Sequence, residues 1–198
     1  DKKLLNAISG MVSVSETCSA SIHNRPVFAN YKKVKTIYNG TPNLPTYING
    51  NVPDLRKLLA IGEGSICILL ANYEQRKGHS FLFNAFNEVV NKIPNAHLIC
   101  CGASYGNEKD KISDIRSSLP HAANIHLLDF FPDGRKLISQ ADIVVISSQY
   151  LESFGLTAIE AMLESVPVVA TKVGGLREVL GEPSVGGFLV DPNNVHEF

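Results

Sequence analysis

The sequence predicts an α/β fold, a doubly wound parallel sheet of the Rossmann-like kind. Short apolar runs recur from residue 66 onward, at Ile66–Ala71, His97–Cys101, Ile125–Leu128, Ile143–Ile146, Val166–Ala170 and Gly187–Val190. They are continuous rather than alternating, as strands buried on both faces of a parallel sheet should be. Helical stripes separate them: Phe81, Leu82, Ala85, Phe86, Val89, Val90 and Ile93 fall on one face, and Leu156, Ile159 and Leu163 on another. A repeated strand–helix order implies right-handed crossovers and an open sheet. Ligands of such sheets sit beyond the carboxyl ends of the strands, at helix N-termini.

The first fifty residues follow another rhythm. Met11–Val14 and then Ser15-Glu16 read as a strand entering a helix capped by Ser15. Val34–Tyr38 reads as a short strand ending in the turn signal Asn39-Gly40, and Pro42, Pro45, Asn49-Gly50 and Pro53 keep the following segment irregular. Asn39-Gly40-Thr41 is formally a glycosylation sequon, with nothing else in the chain to mark secretion.

Composition narrows the function classes. The 198 residues are 44% hydrophobic and 19% charged, ordinary values for a globular protein. Eighteen basic and nineteen acidic residues nearly cancel, which argues against a nucleic-acid partner. No apolar run approaches the roughly 20 residues that span a bilayer, and the first residues carry no signal-peptide pattern. Cys18, Cys67, Cys100 and Cys101 form no C-x-x-C pair and read as reduced thiols of a cytosolic protein. No Cys/His cluster has metal-ligand spacing and no Asp-x-Asp occurs, so no metal is expected. Gly102-Ala103-Ser104-Tyr105-Gly106 lacks the G-x-G-x-x-G spacing, which argues against a dinucleotide-dependent dehydrogenase. The first strand end carries no aspartate cluster, as a receiver domain should.

The chemistry concentrates in Glu152-Ser153-Phe154-Gly155-Leu156-Thr157-Ala158-Ile159-Glu160. Two carboxylates bracket a glycine that opens a helix. A helix N-terminus offers free N–H groups and a positive dipole to phosphate, and Gly155 lets the main chain approach closely. A carboxylate before the helix and another one turn into it can accept hydrogen bonds from the hydroxyls of a sugar and of a ribose. Gly174-Gly175 before Leu176-Arg177-Glu178 makes a second glycine-led helix start, read as a packing turn beside the site.

This stretch, with Pro167–Thr171 and Val173–Val179, closely resembles the donor-site signature of retaining glycosyltransferases of two-domain GT-B architecture, the glycogen-synthase-like group 1 or family 4 type. The resemblance covers about residues 12 to 192. It implies that the chain is the C-terminal half of that architecture, with residues 1–50 the tail of an N-terminal domain and the interdomain linker, and 51–198 a donor-binding domain cut short where a long helix should start. Val14-Ser15-Glu16 and Lys33–Gly40 match the family's interdomain pattern.

By the same resemblance, Glu160 binds the ribose hydroxyls. Glu152 lies near the donor sugar and the reacting carbon, as a ligand-positioning group or a charge stabiliser. Phe154, Gly155, Leu156 and Thr157 present amides to the diphosphate, and Lys77 contacts the phosphates. Many relatives carry an arginine where this chain has Asn72, and Arg76 is the candidate second cation. Phe131, in Leu128–Asp133, sits where the family's nucleobase loop lies.

The implied reaction moves a hexosyl group from a nucleoside-diphosphate sugar, a substrate rather than a cofactor, to an acceptor hydroxyl with retention and without metal. The acceptor, a glycan or a lipid-linked one, would be bound through the absent N-terminal domain, leaving this fragment inactive alone. The implied setting is polysaccharide biosynthesis in the cytoplasm or peripherally at the inner membrane face. A GT-B-fold sugar-nucleotide epimerase shares the architecture but needs no such Glu-to-Glu signature. A non-catalytic nucleotide-binding domain would be favoured by loss of Glu152 or Lys77, and both are present.

Overall fold

The computed structural model describes residues 7–42, 52–181 and 186–198. Pro45, Asn49 and Gly50, and the domain boundary expected at residue 50, lie outside the described residues. Near the start, β1 (Met11–Ser13) leads into α1 (Glu16–His23) and β2 (Val34–Thr36), with β1 and β2 paired in parallel. Ser15 caps α1 as its sequence predicts, its hydroxyl accepting the Cys18 amide.

After α2 (Leu55–Leu59) the chain alternates: β3 (Ile66–Leu70), α3 (His79–Lys92), β4 (His97–Cys101), α4 (Glu108–Ser117), β5 (Ile125–Leu128), α5 (Gly134–Ile138), β6 (Ile143–Ile146), α6 (Leu156–Leu163), β7 (Val168–Thr171), α7 (Leu176–Leu180) and β8 (Gly187–Val190). The last six strands form one sheet in the order β5-β4-β3-β6-β7-β8, with every pairing parallel. The chain winds outward from β3 to β5, then returns to lay β6 on the other side of β3. Connections leave β3 and β6 in opposite directions and open a crevice between them.

Both faces of the sheet are covered, which is why its strands are apolar throughout. Ile66, Ile68, Ile99, Val144, Ile146 and Val168 pack on one face with Leu137, Ala158, Ala161 and Leu176. Leu69, Leu98, Cys100, Ile125 and Val145 pack on the other with Leu82, Phe83, Phe86 and Val90 of α3.

Three local expectations are corrected. The strand expected at Val166–Ala170 starts at Val168, because Pro167 has no N–H and Val166 instead closes the end of α6 by donating to the Ala161 carbonyl. Ile93 ends up exposed, whereas Phe83 is fully buried. In α6 the inward residues are Ala158 and Ala161, while Leu156 and Leu163 are 39% and 36% exposed. Small side chains let α6 lie close against the sheet and bring its first turn down beside the strand ends. Near the other end of the described residues, the Asn194 side chain accepts the Glu197 amide at 3.2 Å and its carbonyl accepts the Phe198 amide at 3.3 Å.

One buried group makes the fold acid-sensitive. His79 is 2% exposed, stacked on Tyr73 and edge-on to Phe83, and burial pushes its pKa down to about 4. In the unfolded chain it titrates near 6.5. The unfolded state therefore binds the extra proton between these values, and stability falls as the pH drops below about 6.5, by ~1.4 kcal/mol per pH unit. In urea titrations between pH 7 and 5, His79→Gln should remove that share of the slope.

Candidate functional site

The loops that follow β3 and β6 meet at the crevice. Tyr73 anchors the first: it is fully buried, and its hydroxyl reaches the Cys100 and Leu128 carbonyls at 2.9 and 2.7 Å. A 3₁₀ turn, Gln75–Lys77, ends at Gly78 with φ +71°, where a Cβ would overlap the Ser147 carbonyl. Only glycine allows this approach. The second loop grips the first through two bonds, Ser147 Oγ to the Lys77 carbonyl at 2.8 Å and the Gln149 amide to the Arg76 carbonyl at 2.9 Å.

Lys77 and Glu152, distant in sequence, are thereby joined: Lys77 Nζ lies 2.6 Å from Glu152 Oε2, with the side chains 17% and 14% exposed. Ser148, fully buried, donates to the same Glu152 oxygen at 2.9 Å, and Thr171 donates to the Ser148 carbonyl. The Glu152 carbonyl accepts the Gly175 amide at 2.9 Å. Gly174, at φ +53°, packs so tightly here that a Cβ would overlap the Glu152 carbonyl. Gly174→Ala should therefore lower stability by about 2–3 kcal/mol, read from the urea midpoint.

Gly155, at φ +102°, precedes α6 and gives it no side-chain cap, so the first amides of the helix are left for another acceptor. Its missing Cβ would meet Leu176 Cδ2 at 2.7 Å. Lys77, Ser148, Glu152, Gly155, Leu156 and Thr157 line a small cleft there. Phe154 is buried behind it, tilted against Tyr38. Leu70 and Ala71 continue the wall into a second cleft of about 200 Å³ that Asn72, Phe131 and Glu160 also line.

The Glu160 carboxylate has no hydrogen-bond partner among the described residues. Burial raises its pKa, partly offset by the Arg135 guanidinium. Arg135 is itself held by Glu164, with Nε 2.8 Å and its terminal nitrogen 2.5 Å from Oε1, and donates to the Pro42 carbonyl at 3.0 Å. Arg76 is paired with Glu74 at 2.6 Å.

Thus the structure places Lys77, Glu152, Gly155, Leu156 and Thr157 in one cleft and Glu160 and Phe131 in the adjoining one, with Leu70 and Ala71 common to both, sets Phe154 behind the first, and ties Arg76 to Glu74. Ser148 and Arg135 escaped the sequence reading. Two serines directly after the apolar run Ile143–Ile146 were the available signal for Ser148. A larger groove of about 510 Å³ runs between α3 and α4, bordered by Ser80, Phe81, Glu108 and Lys111. Its Lys111 pairs with Glu108 at 2.6 Å, and the two side chains are 58% and 35% exposed, against 17% and 14% for Lys77 and Glu152. Among the described residues, no group of three or more His, Cys, Asp or Glu is placed to hold a metal ion, and no helix is long and apolar enough to cross a membrane.

Known proteins resemble the chain in fold and in sequence. Anabaena HepE, solved in complex with UDP and glucose, superposes with a TM-score of 0.80 at 23% identity over 100% of this chain and 55% of its own. An uncharacterised glycosyltransferase of Methanocaldococcus jannaschii is 33% identical over 90% of this chain and 45% of its own length. The N-acetyl-alpha-D-glucosaminyl L-malate synthase of Bacillus anthracis is 27% identical over 94% and 49%. The chain spans about half the length of the curated relatives it matches. Residues 53–198, the whole doubly wound unit with its crevice, match the family described as glycosyl transferases group 1. With its fold that of one half of a GT-B enzyme, the chain belongs to the group 1 glycosyltransferases.

Proposed function

We propose that residues 51–198 bind the donor of a retaining hexosyltransferase, and that residues 1–50 are the tail and linker of a second, acceptor-binding domain. The observation that carries this is the convergence of Lys77, Glu152 and the uncapped first turn of α6, with Glu160 one turn further on. The first amides of α6 and Lys77 take the diphosphate. Glu160 accepts the ribose hydroxyls, and Phe131 covers the base. Glu152, oriented by Ser148, faces the donor sugar.

As the glycosidic bond breaks, negative charge grows on the departing diphosphate, and a fixed cation with aligned amides stabilises it. The acceptor hydroxyl, on a glycan or lipid-linked glycan, comes from the other domain. No metal is required, and activity in the cytoplasm or at the inner membrane face fits a nucleotide-sugar substrate. The likeness to proteins solved with UDP and UDP-glucose supports the reading.

Titration of the chain with UDP, GDP, ADP and NAD, followed by amide chemical shifts, tests it. One nucleoside diphosphate should move Lys77 and the Glu152–Glu160 amides, with EDTA making no difference. A preference for NAD, or no response to any of the four, would contradict it.

A further inference from the structure

A carboxylate outside both clefts joins the N-terminal segment to the loop that carries Glu152. Glu178 stands on α7, whose first residue, Leu176, packs behind Gly155. Its Oε2 accepts the Glu16 amide at 2.7 Å, and its Oε1 accepts the Thr17 amide at 2.8 Å and the Thr17 hydroxyl at 2.7 Å. The next amide of α1, that of Cys18, goes to Ser15 Oγ at 3.0 Å, and the same hydroxyl donates to the Ser153 carbonyl at 2.7 Å. The leading amides of a helix have no partner within it. Those of α1 are satisfied by two groups, and both lead to the Glu152–Gly155 loop.

The loop is gripped from two sides. From α7, the Gly175 amide holds the Glu152 carbonyl at 2.9 Å. From the N-terminal segment, Ser15 holds the Ser153 carbonyl and the Tyr38 ring lies 5.9 Å from that of Phe154. Burial acts to raise the Glu178 pKa, but bonds from Thr17, Glu16 and Tyr38 outweigh it and hold the carboxyl below its ordinary value. Hydrogen bonds to an ionised acceptor are stronger than neutral ones.

We infer that Glu178 is a positioning residue for the donor site: by capping α1 it seats Ser15 on the Ser153 carbonyl, and so fixes the loop that presents Glu152 and the first amides of α6. The inference rests on the donor-site reading. It also couples the N-terminal segment to donor binding, since any movement of α1 pulls on that loop.

The test compares wild type with Glu178→Ala, Glu178→Gln, Ser15→Ala and the Glu178→Ala/Ser15→Ala double variant. Hydrogen exchange at the Gly175 amide reports how firmly the loop is seated, and titration with UDP, GDP and ADP reports the site. Glu178→Ala should speed Gly175 exchange and weaken binding of the preferred diphosphate, each about tenfold. Glu178→Gln keeps one acceptor oxygen for Thr17 and should fall between. Because both residues act through α1, the double variant should lose little more than the worse single one.

Unchanged Gly175 exchange in Glu178→Ala would overturn the inference. So would exchange that rises equally at the β4 amides, which would mark a general loss of stability. A wild-type chain that binds none of the three diphosphates defeats the donor-site reading instead, and Gly175 exchange alone then decides whether Glu178 seats the loop.

Discussion

Glu160→Ala is expected to weaken binding of the preferred nucleoside diphosphate about 30- to 100-fold, the largest effect of any single change at the crevice. An ionised acceptor contributes about 1.5–3 kcal/mol for a hydrogen bond it makes, and a ribose diol offers two donors to one carboxylate. The half-buried Glu160 carboxylate lacks a hydrogen-bond partner among the described residues, so its removal disturbs no described hydrogen bond of the fold. Affinity should fall while the urea midpoint stays put. The sign of the pH dependence follows from the same burial. Glu160 has a raised pKa because its charged form is poorly solvated, with Arg135 offsetting part of the effect. Affinity is therefore full above that raised pKa and declines as the pH falls through it. Ribose hydroxyls stabilise the ionised form, so binding on the acid side should release protons, measurable by calorimetry in buffers of different ionisation enthalpy.

The second large effect is a pair of opposite changes across the 2.6 Å contact between Lys77 and Glu152. Lys77→Ala removes the cation proposed to meet the diphosphate and leaves Glu152 as an uncompensated, largely buried anion in the same cleft. Diphosphate affinity should fall about 10- to 100-fold, and stability by about 3 kcal/mol. Glu152→Gln keeps an oxygen for the Ser148 hydroxyl but releases Lys77 from its ion pair. A phosphate then meets an unshared ammonium and one fewer negative charge, so diphosphate should bind about three- to tenfold more tightly. Titration calorimetry on the two variants measures both. If Lys77 were an ordinary solvated lysine, neither change would shift affinity.

Much of this molecule was legible in its sequence for one physical reason: strands buried on both faces must be apolar along their whole length. Runs such as His97–Cys101 and Ile143–Ile146 therefore marked strands to the residue, and the topology of parallel α/β sheets placed Lys77 and Glu152 at strand ends. Side-chain facing was less legible. Leu156, Ile159 and Leu163 make a convincing apolar stripe, yet α6 turns Ala158 and Ala161 to the sheet because only small residues permit so close an approach.

Contacts between distant segments were not legible at all. The Lys77–Glu152 pair, its Ser148 support and the Glu178 cap on α1 depend on which strands become neighbours, and no local pattern carries that information. Arg135 was invisible for the same reason, since its partners Glu164 and Pro42 come from the residue that ends α6 and from the segment after β2.

The central claim, that a nucleoside diphosphate occupies the crevice between β3 and β6, is tested most directly by a crystal structure of the chain soaked with the best-binding diphosphate. Phosphate oxygens on Lys77 Nζ and the Leu156 and Thr157 amides, with the ribose on Glu160, are the predicted result. A nucleotide seated in the larger groove between α3 and α4, against Ser80, Phe81 and Lys111, with the crevice unchanged, would contradict it.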